Sequence, residues 1–246
     1  MFLSKANSAA PAEQNTSDVS SGFSLLEQSL QRQAELEAIV ELQQRQLEET
    51  RELLNEVNHR AKNSLQMAMA MLSMQALASE DPRTAEALNA ASQRLGYLAR
   101  VHELLYQRGD DVQAIDIADF LEDIISTLAN AFQRPDVSVS VDVEPLMLGV
   151  SQAMNVALIA GEALLNAYKY AFPAGRCGTV IVSLTCSSDT CRLQISDNGV
   201  GFAAELRRGS LGMRLLRALG RALGGETVVV GERGTSVSVT FPKEAG

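Results

Sequence analysis

The sequence predicts an α + α/β protein: an antiparallel helical hairpin that forms a dimeric four-helix bundle, followed by an α/β sandwich domain. Three observations carry that prediction. Residues 23–78 contain neither proline nor glycine and are dominated by Leu, Glu, Gln and Ala, all good helix formers. Within them Val40, Leu47, Leu54, Ala61 and Ala68 recur every seven residues, the spacing of a coiled-coil seam. From Ala114 onward the pattern alternates between amphipathic helices and short Val-, Ile- and Thr-rich strands.

Composition narrows the function classes. The 246 residues carry 21 Lys and Arg against 30 Asp and Glu, a formal charge of −9, so no broad basic surface for nucleic acid or anionic lipid is expected. No segment approaches the ~20 apolar residues of a membrane helix, so no direct membrane insertion is expected. The start, Met1-Phe-Leu-Ser-Lys5, turns polar too soon for a signal-peptide core. Three cysteines, Cys177, Cys186 and Cys191, lack metal-type spacing and suit a reducing, cytoplasmic setting.

The elements follow in order. Residues 1–21 are polar, without apolar period, and read as a disordered tail. Residues 22–110 form the coiled-coil lead and helical hairpin. The first helix would reach ~80 Å at ~1.5 Å per residue, too long a stripe for one small monomer to cover, so a homodimer is expected. Leu36, Val57 and Met71 fall on the companion seam. Glu80-Asp81-Pro82 breaks the helix. A second helix from Arg83 to Gln107 places Leu88, Leu95, Leu98, Val101 and Leu105 on one side. Residues 111–246 form the sandwich, with helices at 117–132, 151–171 and 211–223 and strands at 137–143, 179–186, 191–196, 226–230 and 235–241.

Two histidines are candidates for chemistry. With Ala61 at heptad position a, His59 falls at f, farthest from a partner helix, with Glu56 and Asn63 one turn away on the same outward face. His102 follows Val101 on the second helix, where packing or hydrogen bonding between helices is its expected role. A neutral imidazole has a free nitrogen lone pair and can accept a phosphoryl group.

A nucleotide site would have to lie in the sandwich. No G-x-x-x-x-G-K-[ST] loop is present. Instead Asp197-Asn-Gly-Val-Gly201 follows an apolar strand, and Gly209-Ser-Leu-Gly212 opens a helix. Glycines at a strand-to-loop junction admit close backbone approach to a ligand, and helix N-termini favour phosphate. On the helix before them, Glu162, Asn166 and Lys169 share one face by their spacing and suit Mg²⁺ and phosphate oxygens.

Together these motifs resemble the sensor histidine kinases. His59-Arg-Ala-Lys-Asn-Ser-Leu-Gln66 is similar to the phosphoacceptor motif of the subgroup reading His-Arg-x-Lys-Asn, and Arg100-Val-His-Glu-Leu-Leu-Tyr106 resembles its second-helix signature. The segment from Glu162 to Pro173 resembles the N box, and Asp197–Gly201 and Gly209–Gly212 the two glycine boxes, of the Bergerat (GHKL) ATP-binding fold. The resemblance implies that His59 takes the γ-phosphoryl group of ATP, Asn166 ligates Mg²⁺, Lys169 contacts phosphate and Asp197 accepts a hydrogen bond from the adenine amino group. It implies that Gly199, Gly201, Gly209, Leu211 and Gly212 shape the pocket and its lid. It also implies a response regulator as partner, with Asn63 able to position a water that dephosphorylates it.

Three positions depart from the family pattern. Arg60 stands where larger subgroups carry an acidic residue, so the general base is unassigned, with Glu162 favoured slightly over Glu56. Asn58 and Tyr170 occur where this subgroup often has His. The lid, Phe202–Arg208, is short. The leading reading is a two-component kinase that autophosphorylates His59. Its alternatives are a response-regulator phosphatase or phosphotransferase with weak or regulatory ATP binding, suggested by Asn63 and the short lid, and a non-catalytic adaptor that sequesters a partner. Residues 1–58 leave too little chain for an independent globular sensor.

Overall fold

A computed structural model describes residues 12–107, 114–132, 134–202 and 211–243. The tail below residue 12, the predicted boundary near 109–113 and most of the lid, including Gly209, lie outside the described residues. Among them the chain divides into two compact units, residues 1–58 and 59–246. The second helix of the hairpin packs on helices of the sandwich and so falls in the second unit.

The first unit is helical. Helix α1 runs Ala12–Ala78, beginning eleven residues ahead of the Phe23 start that the sequence predicts, so residues 12–21 are helical and not part of a disordered tail. Ala12, Glu13 and Gln14 are good helix formers, and extending an existing helix costs far less than nucleating one. Leu36, Val40, Leu47, Leu54 and Val57 are all exposed in the single chain, a continuous apolar seam without cover.

The second unit begins with the end of α1 and helix α2, Pro82–Gln107. Asp81 caps α2: its carboxylate accepts from the amides of Arg83 (3.2 Å) and Thr84 (3.1 Å) and from the Thr84 hydroxyl (2.6 Å). That Thr84 hydroxyl, with the two amides, holds the Asp81 carboxyl below its ordinary range. Pro82 sits at the first helical position, where its missing N–H costs nothing. The hairpin closes through Ser73 and Ser92, whose hydroxyls meet at 3.1 Å, and through Lys62, which donates to Glu103 at 2.7 Å.

The sandwich follows as β1 (Ala114–Asp116), α3 (Ile117–Phe132), β2 (Val137–Val143), β3 (Met147–Gly149), α4 (Val150–Asn166), β4 (Gly178–Cys186), β5 (Thr190–Asp197), α5 (Leu211–Ala222), β6 (Glu226–Val230) and β7 (Ser236–Pro242). The main sheet has the order β2-β4-β5-β7-β6, with β2 parallel to β4 and every other neighbour antiparallel. Its inner face is set by period-two alternation: Val180, Val182 and Leu184, then Cys191, Leu193 and Ile195, then Val237, Val239 and Phe241 are all buried. Three helices pack on the sheet, α3 against β2, α4 against β5 and α5 against β6 and β7; α3 buries Ile117, Phe120, Leu121, Ile124, Ile125 and Leu128, each burial contributing ~1.5–3 kcal/mol. Beyond the prediction, a two-stranded ribbon pairs β1 with β3.

Cys186 and Cys191 correct an expectation. They are direct cross-strand partners at the closed end of the β4–β5 hairpin and form a disulfide, where free thiols were expected. Cys177 remains free and exposed.

Candidate functional site

One cleft brings together three of the predicted residues. Asn166, Asp197 and Gly201 line it, together with Tyr170, Met213 and Thr235. Asp197 is the last residue of β5. Its Oδ1 accepts from the amides of Gly199 (2.9 Å) and Thr235 (3.1 Å), which fixes the carboxylate and leaves Oδ2 for a ligand. The Asn198 side chain accepts from the Thr179 amide at 2.8 Å and pins the loop to β4.

The glycines of the first box are there because backbone passes too close for a side chain. A Cβ on Gly199 would overlap the carbonyl of Ala171, and Val200 donates to that same carbonyl at 2.9 Å. Gly201 adopts φ +67°, and a Cβ there would strike the Gly231 carbonyl. Gly234, at φ +83°, lies against the Asp197 carbonyl. The β6–β7 turn, Gly231 to Thr235, therefore forms a wall of the cleft that sequence reasoning missed. A Gly-Glu-Arg-Gly-Thr turn joining the last two strands was the available signal.

Glu162 and Asn166 come together as their i, i+4 spacing predicts, with Asn166 Nδ2 donating to Glu162 Oε1 at 3.3 Å. The step to Lys169 does not continue the α-helix: residues Ala167–Ala171 wind as a π-helix, a local irregularity often found at functional sites. Arg134 holds the end of that turn, donating to the carbonyls of Tyr168 (2.9 Å) and Phe172 (3.0 Å) while pairing with Asp136. Lys169 is exposed, and burial of its stem together with the Arg94 charge lowers its ammonium from the ordinary value.

Glu162 is not on a solvated face. It is 3% exposed and bound by both oxygens to Arg94 of α2, Nε to Oε2 and Nη2 to Oε1, each at 2.8 Å. Helix α2 is seated on α4 by a second contact beside this one. The Tyr97 hydroxyl donates to the Ala157 carbonyl, and its ring fills the space where a Cβ on Gly161 would stand. Burial pushes the Tyr97 phenol far above its ordinary range, so it stays neutral. Gly212 opens α5 directly over the ion pair, since a Cβ there would overlap Glu162 Oε1 and lie 3.2 Å from Arg94 Nη2. Leu211 is exposed.

On α1, His59, Asn63 and Glu56 are all exposed, as are the seam residues Leu47, Leu54 and Val57 of the same helix. His102 is partly buried against the Tyr106 ring, centroids 4.4 Å apart, and burial lowers its imidazole from the ordinary value. Glu103, one residue on, binds both Lys62 and Arg100, which hold its carboxyl below the ordinary range.

An N-box helix, an aspartate closing a strand and a glycine-walled cleft beside a helical hairpin with an exposed histidine define a class. Residues 56–132 match the family described as histidine kinase, and residues 151–245 match the histidine kinase-, DNA gyrase B- and HSP90-like ATPases. This chain belongs to the histidine kinases. It is 30% identical over 201 residues to blue-light-activated histidine kinase 2 of Erythrobacter litoralis, covering 77% of this chain and 56% of that protein. It is 29% identical over 198 residues to sensor histidine kinase PdtaS of Mycobacterium tuberculosis, covering 77% of this chain and 39% of that protein. A solved structure of a blue-light-activated histidine kinase of Erythrobacter litoralis aligns with a TM-score of 0.57 at 27% identity, covering 77% of this chain and 62% of that one. The chain thus spans about half the length, or less, of these curated relatives. No helix among the described residues is long and apolar enough to cross a membrane.

Proposed function

We propose that this chain is the core of a two-component histidine kinase that transfers the γ-phosphoryl group of ATP to His59 and exchanges it with a response regulator. The observation that carries the reading is a single cleft lined by both Asp197 and Asn166, in a chain whose His59 stands exposed. The adenine amino group donates to Asp197 Oδ2, because Oδ1 is spent on two backbone amides. An adaptor would need no such cleft.

Mg²⁺ fits the residues present. Asn166 gives its Nδ2 hydrogen to Glu162, so its Oδ1 is the atom left for a hard cation, and Mg²⁺ characteristically takes few protein ligands beside phosphate oxygens. Bound there, the ion would neutralise phosphate charge. Lys169 adds a second cation toward the phosphates.

In the transfer, the Nε2 lone pair of His59 attacks the γ-phosphorus, the bond to the β-phosphate oxygen breaks, ADP leaves and the imidazole gives up its Nδ1 proton. Both oxygens of Glu162 are engaged by Arg94. That gives Glu162 the task of holding Arg94; Glu56, one turn ahead of His59 in the sequence, is the proposed acceptor of this proton. Glu56→Gln should then lose ~10²-fold in rate, the scale of general-base assistance, with ATP binding unchanged.

The same reading makes the exposed seam on α1 the contact with a second copy and puts the protein in the cytoplasm. Asn63, exposed beyond His59, positions water on a phosphorylated regulator, so Asn63→Ala should prolong that regulator's lifetime. The test of the whole reading is incubation with γ-labelled ATP and Mg²⁺, followed by mixing with candidate regulators. Acid-labile label that passes to a regulator is expected; a chain that gains no acid-labile label contradicts it.

A further inference from the structure

The ion pair between Arg94 and Glu162 uses only part of what Arg94 offers. A guanidinium has five N–H donors. Two are spent, on the two oxygens of Glu162. The remaining three, on Nη1 and the far side of Nη2, make no hydrogen bond among the described residues, although the side chain is only 23% exposed. The idle Nη1 is open to solvent and not shut in without a partner, so the oxygens of a ligand can reach it.

The surroundings of Nη2, which keeps one N–H free, suggest the class of acceptor. Arg94 Nη2 lies 3.2 Å from the site of a Cβ on Gly212, and Asn166 Nδ2 lies 3.5 Å from the same point. Gly212 lies in the first turn of α5, whose leading amides have no acceptor within the helix. The Arg94 charge also reaches Lys169, where it adds to burial in lowering the ammonium. Around the residue proposed to carry Mg²⁺, Arg94 and Lys169 are thus set against the carboxylates of Glu162 and Glu86, and both cations are of the kind that donates to phosphate oxygens.

We propose that Arg94 is a binding residue for the γ-phosphate of ATP, contributed by the phosphoacceptor hairpin and not by the ATP-binding fold. One edge of its guanidinium stays on Glu162 while the other donates to γ-phosphate oxygens, the forked geometry that suits arginine to both anions. Glu162 is then a positioning residue that holds the fork. The consequence is that ATP and ADP are distinguished by the hairpin: ATP ties α2 to α4 through the γ-phosphate, and its transfer to His59 removes that tie.

This inference rests on the ATP reading above, and its test separates the two. Binding of the β,γ-imido analogue of ATP and of ADP, with Mg²⁺, is measured by calorimetry on the full chain. Removing Arg94 alone would leave the Glu162 carboxylate buried and unpaired, so the informative comparison is R94Q/E162Q against E162Q, both free of that charge and both checked for folding by circular dichroism. Losing Arg94 should weaken the ATP analogue about tenfold or more while changing ADP by less than about twofold, the loss expected of a hydrogen bond to a charged group made by one ligand only. Equal losses for both nucleotides, or no loss for either, overturn the assignment of Arg94 while leaving ATP binding intact. A wild-type chain that binds neither nucleotide overturns the ATP reading and this inference with it.

Discussion

In the nucleotide cleft Asp197, Asn198 and Glu162 are each held by partners, from the amides of Gly199, Thr235 and Thr179 to the guanidinium of Arg94. On α1, by contrast, His59 and Asn63 stand exposed, and the seam from Leu36 to Val57 has nothing over it. The difference shows where each half of the reaction is built. A nucleotide has to find donors and acceptors already in place, and on the proposed reading those described for it come from one chain. An acceptor histidine has to be reached by the ATP domain and then by a partner protein, so it gains from being uncovered.

The sharpest way to break this contrast is to fill the uncovered seam with charge. Leu54→Lys places an ammonium in the proposed dimer contact and forfeits ~1.5–3 kcal/mol of burial on each of two helices, so dimers seen by light scattering at micromolar concentration should be lost. A wild type that is monomeric under those conditions removes the second copy from the account.

Next in size is the ion pair that ties hairpin to cleft. Arg94→Ala leaves a buried carboxylate without its partner, and chemical denaturation should show a loss of ~3–5 kcal/mol. Restoring part of that loss in R94A/E162Q would attribute it to the unpaired charge.

Asp197→Asn touches the nucleotide and not the fold. Replacing the charged acceptor should cost ATP affinity ~1.5–3 kcal/mol by calorimetry, with the unfolding midpoint nearly unchanged. The smallest effect is expected at the far end of the same hairpin. Cys186 pairs with Cys191, six residues along each strand from the Val180–Asp197 pair, so Cys186→Ser should change ATP affinity by less than ~0.5 kcal/mol, the scale of a remote surface substitution.

Local periodicity made much of the fold legible. Helix α3 begins and ends where its apolar spacing predicts, and β4 and β5 lie within a residue or two of their alternating patterns. Asp197, Gly199 and Gly201 were legible for the same reason, as a glycine-rich turn ending an apolar strand. What escaped were contacts between residues distant in sequence. Arg94 and Glu162 are 68 residues apart, and nothing in the spacing of either helix announces the pair. Spacing alone puts Glu162 on an outward face, whereas α2 covers it. Thr235 meets Asp197 across two neighbouring strands, a contact set by sheet order, which periodicity does not report. The π turn after Asn166 has no residue signature, being held from outside by Arg134. The Cys186–Cys191 disulfide follows from hairpin register, since the two residues close opposite strands of one tight turn.

The central claim, that an exposed histidine on α1 receives phosphate from this cleft, is tested most directly by comparing His59→Ala with His102→Ala. Each variant, and the wild type, is incubated with γ-labelled ATP and Mg²⁺ and assayed for acid-labile, base-stable label. The account predicts label on the wild type and on His102→Ala and none on His59→Ala, with all three binding ATP alike. Label that persists in His59→Ala and vanishes in His102→Ala would contradict it.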